Sequence, residues 1–210
     1  MATIAQKINS IESMIHTIYL EGVMMNKFHD DLEKAIITAF IKLYEKDEHL
    51  ITLEAVDLSG GKDGHASERG IVARFAIYLQ AEMYKNDNLK DYHLDVEYNR
   101  NGNIPKNLLG AKQKGNGVYP DLIVHKRGPA GPNLLIAEFK THWNKGKKAV
   151  INDINKLKAF LEPTYNYENA LFVVLNQNEP KRFWITEESD GDKIYRSIKQ
   201  VRSPSPLKLT

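Results

Sequence analysis

Two apolar runs, residues 122–124 and 134–137, flank the loop Gly128-Pro129-Ala130-Gly131-Pro132. Short apolar runs separated by glycine and proline read as two strands joined by a turn, a β-hairpin. Asp121, preceded by Pro120, stands at the start of the first strand, and Glu138, Phe139 and Lys140 end the second. Folding about Pro129-Ala130 brings those ends together. Side chains alternate along a strand, so Glu138 and Lys140 share one face and Phe139 takes the other. Pairing about that point sets Asp121 opposite either Glu138 or Phe139. Two carboxylates and one ammonium are thereby expected at one end of a sheet.

Clustered carboxylates repel, and each raises the pKa of the other unless a cation lies between them. Mg²⁺, which is bound through one or two carboxylates plus water, is the natural cation, and Mn²⁺ can substitute. The two acids would also keep Lys140 protonated until a metal binds. Charge along the chain supports a polyanionic partner. Residues 1–60 carry 5 Lys against 10 Asp and Glu, a net −5. Residues 100–148 carry 10 Lys and Arg against 2 acids, a net +8, and those two acids are Asp121 and Glu138. A basic field around two isolated carboxylates suits a nucleic acid. Within it Arg100, Lys106, Lys112, Lys114, Lys145, Lys147 and Lys148 are the candidate phosphate contacts. Residues 101–117 form a long loop and a candidate DNA-contacting flap.

Pro120-Asp121, a hairpin and then Glu138-Phe139-Lys140 together resemble the PD-(D/E)xK nuclease superfamily, with its restriction-endonuclease-like members. The likeness extends over residues 67–176. It implies an α/β fold with an αβββαβ core, a mixed sheet flanked by helices. It also implies DNA hydrolysis in which Asp121, Glu138, the Phe139 carbonyl and Glu68 hold the metal and Lys140 positions or activates the nucleophile. The alternative is a nuclease-like module without activity that binds nucleic acid or protein, in phage defence or counter-defence.

Elsewhere the pattern is helical or extended. Isoleucines 4, 8, 11, 15 and 18 mark one helix, and Phe28, Leu32, Ile36, Phe40 and Leu43 a second. Together they read as an N-terminal helical hairpin, an appendage over residues 1–60 ahead of a nuclease-like unit over 61–210. Its acidic exterior suits a homodimer contact or a protein partner. Ser67 is placed to cap a helix over 67–84 with Ile71, Phe75, Tyr78 and Leu79 on its apolar face, and Glu68 shares that inward side. Residues 92–98 alternate as a half-buried strand with Asp95 and Glu97 toward solvent. Val150, Ile154, Leu157 and Leu161 mark a later helix, in which Asp153 and Lys156 read as a helical ion pair. Residues 170–175 are a buried strand, 183–185 an edge strand and 203–210 a loose tail. The absence of cysteine excludes disulfides, thiolate metal sites and thiol catalysis, and it fits the cytoplasm. No apolar run has membrane-spanning length, so no membrane partner is expected.

Overall fold

The computed structural model describes residues 27–52, 66–101, 104–108, 117–128, 131–144, 146–190 and 193–201. The expected first helix, Lys112, Lys114, Lys145 and the tail at 203–210 lie outside those residues. The elements run α1 (Lys27–Lys46), α2 (His49–Thr52), α3 (Glu68–Met83), β1 (His93–Val96), β2 (Arg100–Asn101), β3 (Ile104–Pro105), β4 (Leu122–His125), β5 (Asn133–Thr141), α4 (Lys147–Phe160), β6 (Tyr167–Leu175), β7 (Pro180–Asp190) and β8 (Lys193–Val201). Six strands form one sheet in the order β1-β4-β5-β6-β7-β8. The β5–β6 pair is parallel and its neighbours are antiparallel, so the sheet is mixed. The parallel pair exists because α4 carries the chain back between β5 and β6, a connection a tight turn cannot make. Among the described residues, no helix is long and apolar enough to cross a membrane.

Alternation along β5 sorts its residues between the two faces of the sheet. Ala137 and Phe139 point to α1 and α3, in one core with Ile36, Phe40, Ile71, Phe75 and Leu79. Phe75 stacks on Phe40 at 4.3 Å between ring centroids and meets Phe139 at 5.3 Å. Such ring pairs add about 0.5–1.5 kcal/mol each beyond burial. Ile136 points the other way, to a smaller core with Leu157, Phe160 and Ile123 beneath α4. Anchoring Phe139 under α3 therefore commits Glu138 and Lys140 to the α4 face.

Three expectations are corrected here. The helix at α1 is no appendage: Leu32, Ile36, Phe40 and Leu43 are buried in the main core. A boundary at residue 60 would cut through that core. Its Glu33 is engaged from within the fold by Arg182 and Trp184, and Asp47, just past its end, by Arg74 and Tyr78. The strand at 183–185 is not an edge, because β7 pairs with β6 on one side and β8 on the other. Asp95 is not turned to solvent: its carboxylate is 18 % exposed and bonded to His125 and Arg127. β1 stops at Val96 because Glu97 adopts φ 49, a left-handed conformation that breaks pairing.

Candidate functional site

The register of the hairpin answers which residue faces Asp121. Leu122 pairs with Ala137 and Ile123 with Ile136, so the next step along the ladder sets Asp121 across from Glu138. The Phe139 amide then donates to Asp121 Oδ2 at 2.7 Å. A bulge after Val124 shifts the far end of the ladder, where His125 pairs with Asn133.

Glu138 is 1 % exposed. Its Oε2 takes a 2.5 Å contact from Lys156 Nζ on α4, and its Oε1 is buried without a hydrogen-bond partner among the described residues. Burial and then Asp121 push its pKa well above the ordinary carboxylate range, against which Lys156 is insufficient. Asp121 is raised as well, by burial first, although the Phe139 amide and Lys156 oppose the shift. Burial and like charge thus shift both groups toward the protonated form, and a further cation would oppose that shift.

Lys140 has different partners from those the hairpin alone suggests. Its ammonium contacts Asp153 Oδ2 at 2.9 Å, the Phe139 carbonyl at 2.9 Å and Glu68 Oε1 at 3.2 Å. Burial would lower its pKa, but Asp153 and Glu68 outweigh that and raise it. The reason is spatial. Lys140 lies one pleat beyond Glu138, level with the start of α3 and the second turn of α4, and Glu138 is already met by Lys156. The Phe139 carbonyl, expected as a metal ligand, here accepts from Lys140.

Glu68 reaches the site from the first turn of α3. Its Oε2 accepts the Thr141 amide at 2.9 Å while Oε1 meets Lys140. Ser67 occupies the N-cap position with extended backbone, but its side chain makes no capping bond.

Asp153 and Lys156 were the residues that sequence reasoning passed over. They do pair along α4, at 3.5 Å, yet each also bridges to β5. A signal was present: Asp153 lies three residues after Val150 and four before Leu157, on the helix's inward stripe. Four carboxylates, Glu68, Asp121, Glu138 and Asp153, therefore meet two ammoniums, Lys140 and Lys156. With all ionised, two negative charges remain uncompensated.

The expected phosphate contacts scatter. Lys147 and Lys148 are exposed in the first turn of α4, just past the site. Cations there oppose the helix dipole, so their placement does not serve the helix. Arg100 is exposed in β2. Lys106 is 3 % exposed and turned inward, and its Nζ donates to the Tyr98 carbonyl at 2.9 Å. His125 sits at the other end of β4, 2.8 Å from Asp95, and His142 is directed at the Ile51 carbonyl. Arg74 pairs with Asp47, away from β5.

Among the described residues, no three His, Asp or Glu side chains are gathered as a ready-made metal cage. The donor set nonetheless fits a hard divalent cation, which keeps several waters and needs only one or two carboxylates. Asp121 with the unpartnered Glu138 oxygen supplies them. Searches of family models, curated proteins and solved structures returned no match to this chain.

Proposed function

We propose that the chain is a metal-dependent nuclease that hydrolyses phosphodiester bonds in DNA, with a restriction-endonuclease-like αβββαβ core running from α3 to β6. The observation that carries this reading is the buried, unpartnered Glu138 oxygen beside Asp121 in a cluster short of two positive charges. Asp121 and Glu138 would hold Mg²⁺ or Mn²⁺, with Glu68 and the Phe139 carbonyl close by. The metal, when bound, would lower the pKa of a water and offset charge developing on the phosphate. Lys140, kept protonated by Asp153 and Glu68, orients the attacking water and steadies the phosphate oxygens. Its raised pKa makes it a poor proton acceptor, so positioning is its role. Lys156 adds a second cation against Glu138, and Lys147 and Lys148 extend a positive rim along the approach of the strand.

A second reading is a nuclease-like binding module without activity. It draws on the engagement of Lys140, whose ammonium donates to Glu68 and the Phe139 carbonyl and is ion-paired with Asp153. The readings separate when supercoiled plasmid and single-stranded DNA are incubated with Mg²⁺ or Mn²⁺, wild type beside Asp121→Ala. The nuclease nicks or degrades DNA only with metal and only with Asp121 present. No cleavage of either substrate by wild type favours the binding module.

A further inference from the structure

At the hairpin-loop end of the sheet, roughly 17 Å along β5 from Glu138 at about 3.4 Å per residue, lies a cavity of about 990 Å³. Its lining includes Arg100, Lys106, Lys126 and Arg127, and it contains no carboxylate among the described residues. Asp95 stands behind the wall and engages Arg127 and His125. Among the described residues, Arg100, Lys106 and Lys126 have no acid within salt-bridge distance, and Lys126 lies 5.0 Å over the Tyr92 ring.

Lys106 is the informative one. Its backbone is fixed on both sides: the amide donates to the Asn99 carbonyl at 2.6 Å, and its carbonyl accepts from the Val118 amide at 2.8 Å. This clasp requires Gly117, at φ 79, because a Cβ there would stand 2.6 Å from the Lys106 carbonyl oxygen. The side chain is thereby driven inward, with its ammonium 4.8 Å from the Tyr98 ring centroid and 5.9 Å from that of Tyr167. Among the described residues its one hydrogen bond goes to a carbonyl, which leaves two of three donors unused. No carboxylate of those residues lies within salt-bridge distance of it. Buried ammoniums are ordinarily paired, because desolvation strongly disfavours an isolated charge. Burial accordingly lowers its pKa to about 8. The Tyr167 hydroxyl, on the same wall, is likewise buried without a partner.

We propose that this cavity binds a phosphate monoester dianion, with Lys106 as its buried counter-ion and the Arg100 and Arg127 guanidiniums at its mouth. Phosphate fits better than a carboxylate because it has two charges and several acceptor oxygens for guanidinium forks and the free Lys106 donors. The volume exceeds what the phosphate alone needs and suits an attached nucleoside. The phosphate belongs either to a free mononucleotide or to the 5′ end of a strand. The inference is independent of the nuclease reading, since it uses none of the carboxylate cluster.

The test is calorimetric titration of the full chain without divalent metal, using inorganic phosphate, dAMP and deoxyadenosine. Phosphate and dAMP bind, deoxyadenosine binds at least ~10-fold more weakly, and Asp121→Ala leaves these affinities unchanged. Lys106→Met stays folded, melts no lower than wild type and loses at least ~10-fold in dAMP affinity. Should that variant fail to fold, Arg100→Ala, at an exposed position, decides through a loss of about threefold or more. A 5′-phosphorylated oligonucleotide that outbinds its 5′-hydroxyl twin identifies a strand end as the source, and equal binding by the twins identifies free nucleotide. The proposal is overturned if dAMP binds no better than deoxyadenosine, or if the folded Lys106→Met chain, or Arg100→Ala in its place, binds dAMP like wild type.

Discussion

The two ends of the β4–β5 hairpin bury opposite charges. At the Asp121 end, Glu138 is sealed beneath α4 with one oxygen unpartnered and a second carboxylate across the ladder. At the loop end, Lys106 is buried beneath Tyr98 with one hydrogen bond and, among the described residues, no acid within salt-bridge distance, Asp95 acting on it only from farther off. Each group is pushed toward its neutral form by burial. An uncompensated charge in a core costs several kcal/mol and stabilises nothing by itself. Lys156 meets one oxygen of Glu138 only, and Lys106, packed at the loop end, has no ion pair among the described residues, so the two proposed sites call for opposite ions. Functional sites are where folds tolerate this kind of expense.

The largest expected effect lies at the acidic end. Asp121→Ala lowers metal-dependent cleavage by at least ~10³-fold, because it removes a charge no neighbour replaces. Cleavage within tenfold of wild type would remove Asp121 from the site. Next, Lys140→Met lowers single-turnover cleavage by about 10²-fold while metal affinity stays within about threefold. A purely structural lysine would instead lower the melting temperature and leave each folded molecule fully active.

At the basic end the sign of the pH dependence is distinctive. The folded pKa of Lys106 is about 8 against an ordinary 10.5. Between those values the unfolded chain keeps the proton and the folded chain has released it, so stability from this group rises with pH. Groups that also bear on this window are Asp95, His125, Arg100, Lys126, Arg127 and the tyrosines 98, 165 and 167. Lys106→Met removes its own share, so urea melts of the two chains should converge by about 2 kcal/mol between pH 7.5 and pH 10. Parallel curves would show that Lys106 keeps its proton throughout.

The smallest effect is Asp121→Asn, which keeps an oxygen for the Phe139 amide but relieves repulsion with Glu138. Both acids have raised pKa values, so their ionised forms destabilise the fold once the pH exceeds the ordinary carboxylate range. The variant should gain about 1 kcal/mol at pH 7.5 without metal and lose that gain at pH 4. A loss of stability at pH 7.5 would mean that the two charges are already compensated.

Much of this layout was legible in the sequence, because it rests on local periodicity. The apolar runs beside Gly128 and Pro132, the stripe Ile71-Phe75-Leu79 and the run at 170–175 each mark an element through their own spacing. What escaped depends on tertiary partners. The spacing of Asp153 and Lys156 describes a helical pair, and only the crossing of α4 over β5 turns them toward Lys140 and Glu138. The stripe of α1 was read correctly as helical, but its acids suggested an exterior that Arg74 and Arg182 in fact fill. Lys106 follows a proline in what reads as an open basic loop. Its burial arises from the close approach of Gly117, eleven residues later, which no local pattern announces.

Calorimetric titration of the metal-free chain with Mn²⁺, wild type beside Asp121→Asn, tests the central claim most directly. If the acidic end of the hairpin is built to hold a divalent cation, wild type binds one ion per chain, and proton release accompanies binding wherever the pH lies below the raised carboxylate pKa values. Asp121→Asn then stays folded and loses that binding. If wild type shows no saturable heat at millimolar Mn²⁺, or the variant binds equally well with the same proton release, Asp121 and Glu138 do not form a metal site.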